Sequence, residues 1–459
     1  MTSATSAHGY ALQLLKMKET ARLQIDRLVP GSVAKVWQRL ADRPLHLDDL
    51  ESEFPEALPD LYLLLQTLWA HRAVALMWPA GNPEVEISAA IEGEVLDLGI
   101  CSPEKRWKLS RFAYLHADDS GQFVVETPRS AVQTVILNPR IVPVLATLCA
   151  PKDIPTLLAE LKLRRATRDI QDLLSLLWAA GVITQCDDQG QTDEEKLPEL
   201  AQWEAQDLLF HMRSRQGRHA HPMGAQFRFR GRISPQPAVK PNPWQASAIP
   251  LPKFDLQKLS SLDPPFTAVL ELRRSTRAMD FSRPITLSQI AEFLFRSARV
   301  RHRFQTDIGE FTSRPYPNGG ASYEFELYLA INACADLERG FYYYDPESHS
   351  LSLVARPDID MEGLLDDAWT SSARQCRPQV LITVASRFHR VSWKYSGIAY
   401  AAQLKNVGAL YQTFYLVATA MNLAGCGLGL GDATRFARLT KISYFEEGSV
   451  GEFMLGTPA

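Results

Sequence analysis

The chain has 459 residues, of which 46% are hydrophobic and 22% are charged, and its formal net charge is -3. This length exceeds what one hydrophobic core supports, so it predicts two or three domains. A nearly neutral chain has no overall basic field, which argues against nucleic acid and anionic membranes as partners. Six cysteines are scattered without a CxxC pair, which is typical of reduced thiols in a cytoplasmic protein and indicates no metal site. The first residues lack the basic and apolar regions of a signal peptide.

The N-terminal region contains an internal repeat, because residues 36–78 resemble residues 144–186. Each copy has the pattern of a short helix, a leucine-rich helix and a β-hairpin, the order of a winged helix-turn-helix. We therefore predict two such modules, at residues 1–100 and 101–185. Their candidate recognition helices are acidic or near neutral, which excludes DNA as the expected ligand. Either a peptide adds a strand to the exposed wing edge, or the repeats are scaffold.

Residues 186–254 are predicted to form a linker and connecting segment. The first part is polar and the last part is rich in proline, which favours an extended polyproline conformation. A basic stretch between them carries His211, His219 and His221. We interpret these histidines as surface residues, since their spacing does not suit a metal on a helix.

Residues 255–459 alternate helices with strands and predict an α+β domain with a mainly antiparallel sheet and long core helices. Thr286 and Gln289 form a capping box at the start of one helix. Residues 323–331 and the run from Gln379 read as strands. Residues 407–425 approach the length of a membrane span, but the polar side chains within this run favour a helix buried in a core or at a subunit interface.

Three motifs in this domain contain residues suited to a cofactor site. The RRSTR run at residues 273–277 places three guanidinium groups and a hydroxyl in one turn, which suits a terminal phosphate or a solvated helix end. The PYPNGGAS loop at residues 315–322 has glycines that let backbone approach a planar ring, or is an ordinary turn. The CGLGLGD run at residues 426–432 is predicted to close the preceding helix, either as a glycine cap or as backbone N–H groups facing a cofactor.

The order of these motifs, RRSTR, then PxGGAxxxxELYL, then GALYQTFYLVATAMNLAGCGLGLGD, resembles the nitroreductase-like flavin fold. The resemblance is to its SagB-type branch, the azoline dehydrogenases, and within that branch the paired N-terminal modules and VSWKYSGIAYAAQLKNVGALYQ are most similar to cyanobactin oxidases. It implies an FMN-dependent oxidase that converts thiazoline or oxazoline rings of a ribosomally made precursor peptide to thiazole or oxazole. It also implies a homodimer and, as a further partner, a cyclodehydratase of the same pathway.

The resemblance assigns roles to individual residues. The FMN phosphate site matches Arg273, Arg274, Ser275 and Arg277. A loop that reaches the flavin from the partner subunit matches Pro317, Asn318 and Gly319, although many relatives have serine at position 318. The remaining cofactor contacts match Gln412, Gly427, Leu428 and Gly429, the last three as backbone facing the N5 edge of the ring.

Lys394 and Tyr395 match the lysine and tyrosine credited with catalysis in azoline oxidases. Aromatising an azoline removes a proton and transfers a hydride to N5 of FMN, so a base must face the flavin across the substrate ring. Adjacent residues can both reach one ring only if they lie in a turn. Without the resemblance, an exposed lysine beside a packed tyrosine explains the pair equally well.

We expect O2 to reoxidise the flavin, since no motif indicates a nicotinamide site. Two alternatives remain open at this point. One is an NAD(P)H-dependent nitroreductase or quinone reductase, and the other is a non-catalytic scaffold that binds peptide in the same pathway.

Overall fold

The computed structural model describes residues 9–16, 22 and 25–459. The chain divides into two compact units, Met1–His221 and Pro222–Ala459. The four-part division predicted from the sequence remains a prediction. Residues 186–254 are not a free linker, however, because their elements are built into both units.

The first unit contains nine strands among its described residues: β1 Ala11–Leu14, β2 Leu45–His46, β3 Val74–Trp78, β4 Val85–Ala89, β5 Trp107–Leu109, β6 Tyr114–Ala117, β7 Phe123–Glu126, β8 Val132–Ile136 and β9 Ile183–Gln185. Seven of them form one antiparallel sheet in the order β2-β1-β3-β4-β8-β7-β6, and β5 pairs with β9. The α-helices that surround these sheets are Ala34–Asp42, Leu47–Glu53, Leu58–Ala70, Val142–Thr147, Ile154–Leu161, Thr167–Ala179, Asp193–Lys196, Pro198–Ala201 and Ala205–Arg213.

Both copies of the repeat show three helices followed by a strand. In the first copy β3 and β4 form the expected hairpin, whereas in the second copy β9 pairs back onto β5. The two copies share one hydrophobic core, and β4 pairs with β8 across the predicted module boundary. The identification of the modules as winged helices stays a prediction.

The first wing has no free edge, which corrects the expectation that a peptide adds a strand there. Strand β3 pairs with β1 and β4, and β4 pairs with β3 and β8. All hydrogen-bonding sides of this hairpin are therefore occupied within the sheet, because each strand offers only two edges.

The interpretation of the histidines as surface residues is wrong for one of them, because His219 is buried. The side chain of His221 is 35% exposed but has a fixed partner. The imidazole of His221 lies 2.7 Å from the Glu126 carboxylate, which also accepts a hydrogen bond from Arg213 at 2.9 Å. The Glu126 carboxylate thus fixes the His221 ring through a charge-assisted hydrogen bond. The sequence pattern could not show this contact, because Glu126 lies far from His221 along the chain.

The second unit contains eleven strands: β10 Gly224–Ala225, β11 Ala248–Pro250, β12 His302–Thr306, β13 Gly309–Ser313, β14 Phe325–Ile331, β15 Gly340–Asp345, β16 Ser350–Ala355, β17 Val380–Arg387, β18 Tyr395–Ser396, β19 Ala424–Leu428 and β20 Glu447–Gly456. Its central sheet has the order β11-β16-β15-β14-β17-β20-β19, with antiparallel pairing throughout. The α-helices are Leu256–Leu262, Phe266–Leu272, Leu287–Ala298, Ile359–Ser371, Phe388–Ser392, Ala399–Ala420 and Ala433–Thr440.

Helices cover both faces of this sheet, because its inner strands carry apolar side chains on both sides. Ile382 of β17 faces a core that includes Phe293 and Phe414, whereas Leu381 faces a core with Leu365 and Phe436. The predicted α+β class with an antiparallel sheet is confirmed.

The local predictions for this unit also hold. Thr286 caps the helix Leu287–Ala298, and the Gln289 side chain accepts a hydrogen bond from the Thr286 N–H at 3.0 Å. The predicted apolar run forms most of the 22-residue helix Ala399–Ala420, which we call the long helix. Within the part of the chain that the structure describes, no helix is long and apolar enough to cross a membrane.

Candidate active site

The arginine turn, residues 273–277, directly follows the helix Phe266–Leu272 and lies against the long helix. The guanidinium carbon of Arg273 is 5.2 Å from the centre of the Tyr415 ring, and the Ser275 hydroxyl is 2.9 Å from the Tyr415 hydroxyl. The Thr276 N–H donates a hydrogen bond to the Gly425 carbonyl at 2.9 Å. These contacts hold the turn beside strand β19.

Strand β19 contains the first glycine of the CGLGLGD run, Gly427, which corrects the prediction that this run closes a helix. The left-handed residue after the long helix is Asn422, with φ 53°, so no glycine cap is needed there. The Gly427 N–H donates to the Tyr415 hydroxyl at 2.8 Å. An added Cβ at Gly427 would lie 2.9 Å from the Tyr411 ring, which explains the absence of a side chain.

Tyr415 therefore joins two of the predicted cofactor motifs. Its hydroxyl contacts Ser275 in the arginine turn and Gly427 on β19. Sequence reasoning missed this residue, because a tyrosine in an apolar helix reads as core packing. The available signal was its position four residues after Tyr411, which places both rings on one face of the helix.

The donor groups of the arginine turn suit a phosphate. Among the ion pairs of the described residues, none engages the guanidinium of Arg273, Arg274 or Arg277. A cluster of cations without carboxylate partners attracts a dianionic group, and each guanidinium can donate two parallel hydrogen bonds to its oxygens. An added Cβ at Gly429 would meet no heavy atom within 4 Å, so open space adjoins the end of β19. The residues present fit a phosphorylated flavin.

Gln412 is not brought into this cluster. It lies on the long helix with an exposed side chain, and no hydrogen bond in the described part of the chain ties it to the other predicted site residues. Its role stays a prediction.

The loop of residues 315–322 is held by side-chain amides. The Gly319 N–H donates to Oδ1 of Asn406 on the long helix at 2.9 Å, and the Tyr323 N–H donates to Oδ1 of Asn318 at 2.9 Å. Both amide groups donate in turn to the buried carboxylate of Glu324, each at 2.9 Å. Pro317 precedes this network.

The loop meets the predicted catalytic pair. Lys394 follows the helix Phe388–Ser392 in a turn and Tyr395 begins β18, so the two side chains converge, with the Lys394 Nζ 5.0 Å from the centre of the Tyr395 ring. Gly320 has φ 65°, and an added Cβ there would lie 3.2 Å from Lys394 Nζ and inside van der Waals contact of the Tyr395 hydroxyl. The predicted turn geometry is present.

Buried charges surround this end of the site. Burial raises the pKa of Glu324, although hydrogen bonds from Asn406 and Asn318 oppose the shift. Burial also lowers the pKa of Arg390 to about 10, and the neighbouring Arg387 adds to that effect. The Arg390 Nε donates to the Ser322 carbonyl at 3.0 Å, so a partly buried cation holds the far end of the loop.

The two clusters occupy opposite flanks of the long helix. Asn406 and Tyr415 are nine residues apart, which at 1.5 Å and 100° per residue separates them by roughly 13 Å along the axis and about 180° around it. The loop with Lys394 and Tyr395 belongs to the Asn406 flank, and the arginine turn belongs to the Tyr415 flank.

Two family models match the chain. The model described as cyanobactin oxidase ThcOx matches residues 107–220, and the nitroreductase family model matches residues 270–457. A protein described as a nitroreductase from Methanocaldococcus jannaschii is 29% identical over 177 residues, which are 39% of this chain and 84% of that protein.

Solved structures of similar proteins include a nitroreductase-type protein from Ralstonia eutropha JMP134. It is 20% identical, and the match covers 52% of this chain and 99% of that chain with a TM-score of 0.38. A chain of the Escherichia coli microcin synthetase McbBCD complex, with truncated pro-MccB17 bound, is 18% identical, with coverage of 56% and 92% and a TM-score of 0.36. The two family models confirm the resemblance seen in the sequence: residues 107–220 are similar to cyanobactin oxidases, and residues 270–457 are similar to the nitroreductase family.

Proposed function

We propose that this protein is an FMN-dependent oxidase that dehydrogenates thiazoline or oxazoline rings in a ribosomally made precursor peptide, with O2 as the terminal acceptor. The observation that carries the proposal is the convergence of Lys394 and Tyr395 on the glycine loop at Gly320, within a nitroreductase-family domain. A general flavin reductase has no need of a base paired with a phenol beside the loop.

Arg273, Arg274, Ser275 and Arg277 would hold the FMN phosphate, and the backbone of residues 427–429 would face the ring. FMN, when bound, supplies a two-electron acceptor for the azoline. Two observations support this assignment: among the ion pairs of the described residues none engages a guanidinium of the arginine turn, and open space lies beside Gly429.

Lys394 or Tyr395 would remove the ring proton. The pKa of a free lysine is about 10.4 and that of a free tyrosine is about 10, so a base of either type needs surroundings that favour its deprotonated form. The two side chains converge beside Gly320, with the Lys394 Nζ 5.0 Å from the centre of the Tyr395 ring, so either group could face the same substrate ring. Gly320 leaves the space that both side chains require.

The active unit would be a homodimer. The catalytic pair and the arginine turn lie on opposite flanks of the long helix, so one chain does not present both to the same substrate ring. A two-fold arrangement in which each site combines one flank from each subunit resolves this separation.

The first unit would bind the precursor peptide. An apolar cleft beside the helix Leu58–Ala70 could take leucine-like side chains of a peptide; it is lined by Leu12, Leu65, Trp69, Leu76 and Leu98, among others. A cyclodehydratase of the same pathway, which forms azolines, would supply the substrate.

The proposal is tested by mass spectrometry of a thiazoline-containing peptide incubated with FMN-loaded enzyme in air. We expect a loss of about two daltons per ring, the mass of two hydrogens removed. The Lys394→Ala, Tyr395→Phe double variant should retain FMN and lose this activity. Full turnover by the double variant would refute the assigned base.

Rapid bleaching of the flavin by NADPH without azoline turnover would instead establish a nitroreductase or quinone reductase. A purified protein that does not bind FMN under any reconstitution condition would establish a non-catalytic scaffold.

A further inference from the structure

A buried carboxylate lies behind the catalytic loop. Glu324 is fully buried, and among the hydrogen bonds of the described residues none joins its carboxylate to Lys394 or Tyr395. Its Oε1 accepts a hydrogen bond from the Asn406 amide and its Oε2 accepts one from the Asn318 amide, each at 2.9 Å. No step of the proposed reaction uses this group directly.

The carboxylate determines how both amides are oriented. A carboxylate can only accept at its two oxygens, so each asparagine must turn its NH2 group towards Glu324. The carbonyl oxygen of Asn406 then faces the Gly319 N–H, and that of Asn318 faces the Tyr323 N–H. Reversing either amide would place a donor against a donor.

These two backbone groups bracket Gly320, the residue against which Lys394 and Tyr395 are packed. Gly319 is the preceding residue, and Tyr323 ends the turn whose Ser322 carbonyl is held by Arg390. A shift of the loop would therefore move the surface that fixes Tyr395. Geometry errors of about 1 Å near reacting groups can cost about 100-fold in rate.

We propose that Glu324 is a positioning residue that, through the amides of Asn318 and Asn406, fixes the Gly319–Gly320 loop against Lys394 and Tyr395. The inference rests on the proposed function for its catalytic consequence, whereas the hydrogen-bond network stands on the geometry alone.

The test exchanges the carboxylate of Glu324 with the amide of Asn406, first one at a time and then together. In Glu324→Gln, the new amide offers a donor to one asparagine NH2, so one of the asparagines must reverse and release its backbone N–H. We expect kcat for azoline oxidation to fall about 10- to 100-fold with KM for the peptide unchanged. Asn406→Asp should also be impaired, because it places two carboxylates together.

The double variant Glu324→Gln, Asn406→Asp restores the pairing of hydrogen-bond donors with acceptors. Its glutamine NH2 can donate to the new aspartate, which can still accept from the Gly319 N–H, while Asn318 donates to the glutamine oxygen. We expect kcat within about threefold of the wild type, an outcome that a residue with only a space-filling role would not produce. Failure of the double variant to recover, while it folds and retains FMN, would overturn the proposal.

Hydrogen exchange of residues 315–323, followed by mass spectrometry, provides a readout that does not depend on activity. Exchange should accelerate in Glu324→Gln and return to the wild-type rate in the double variant, since the Gly319 N–H regains its acceptor. If wild-type enzyme does not oxidise azolines, the proposed function fails, and exchange still decides the network. Unchanged exchange in Glu324→Gln would show that the carboxylate does not order the loop.

Discussion

Single residues define the shape of the candidate site where Lys394 and Tyr395 meet the glycine loop. Gly320 has a positive φ and lies close to Tyr395 and Lys394. Either condition alone disfavours any residue other than glycine at this position. Glu452 on β20 is a second single residue whose surroundings have a testable consequence. It is a buried carboxylate beside Leu428 of β19, with Ser449 as its hydrogen-bond donor.

Replacing Gly320 with alanine should abolish azoline oxidation, because the added Cβ would displace the Tyr395 hydroxyl. The matched control is Gly231→Ala, which has φ 80° and no heavy atom within 4 Å of the added Cβ. Both variants should lose about 1 kcal/mol of stability from backbone strain, and the thermal unfolding midpoint checks this. Equal activity in the two variants would contradict the assigned packing of Tyr395.

The stability of the second unit should depend on pH through Glu452. Burial raises the pKa of this carboxyl to about 7, so the folded state favours its neutral form. As pH rises from about 4.3 to 7, the unfolded chain ionises first, and up to about 3 kcal/mol of stability is lost. Glu452→Gln removes this loss. The free energy of unfolding of this variant in urea should therefore exceed that of the wild type by an amount that grows between pH 5 and pH 8. An advantage that does not change with pH would refute the assignment.

At the scale of elements, the long helix organises the site. Its core-facing stripe carries Leu410 and Phe414 against the sheet, and its two flanks carry Asn406 and Tyr415. One rigid helix thus positions the glycine loop and the arginine turn relative to each other. Strand β19 completes the second cluster, because its pairing with β20 fixes the Gly427 N–H opposite the Tyr415 hydroxyl.

Removing the Tyr415 hydroxyl should weaken FMN binding. Tyr415→Phe loses the contacts with Ser275 and Gly427, and one net hydrogen bond of about 1 kcal/mol corresponds to about fivefold weaker binding. Titration of the apoprotein with FMN, followed by flavin fluorescence, measures this change. The control is Tyr411→Phe, which loses a hydrogen bond to the Glu452 carbonyl and leaves the arginine turn intact. Similar FMN affinities in both variants would argue against the role of Tyr415.

At the scale of the whole molecule, the second unit exposes apolar side chains on consecutive helices. Leu262, Phe266 and Leu272 are 70%, 68% and 66% exposed. Soluble monomers seldom leave large apolar side chains clustered at the surface, so such residues mark an interaction surface. These helices lead into the arginine turn, and a subunit interface here would place that turn next to the partner.

The Phe266→Asp, Leu272→Asp double variant should therefore be monomeric, because two charges would have to be buried at the interface. Light scattering after size-exclusion chromatography measures the mass. We expect the wild type to be a dimer and the double variant to lose azoline oxidation together with dimerisation. Leu137→Asp, at an exposed leucine of the first unit, is the control and should remain dimeric. A monomeric and active wild type would refute the composite site.

Local chemistry explains what could be predicted from the sequence. The capping box at Thr286 and Gln289, the strand patterns and the apolar run of the long helix all depend on neighbours within a few residues, and all three appear in the structure. The order of the three motifs indicated the similarity of the second unit to the nitroreductase family for the same reason, since each motif is contiguous.

Only the tertiary structure decided which distant groups meet. Glu324 and Asn406 are brought together by the packing of the long helix on the sheet, and Ser275 meets Tyr415 in the same way. The sequence also did not show that β3 and β4 lie inside a larger sheet, or that His221 contacts Glu126. Such contacts depend on chain packing over long separations, whereas hydrophobic periodicity and turn residues report only on local conformation.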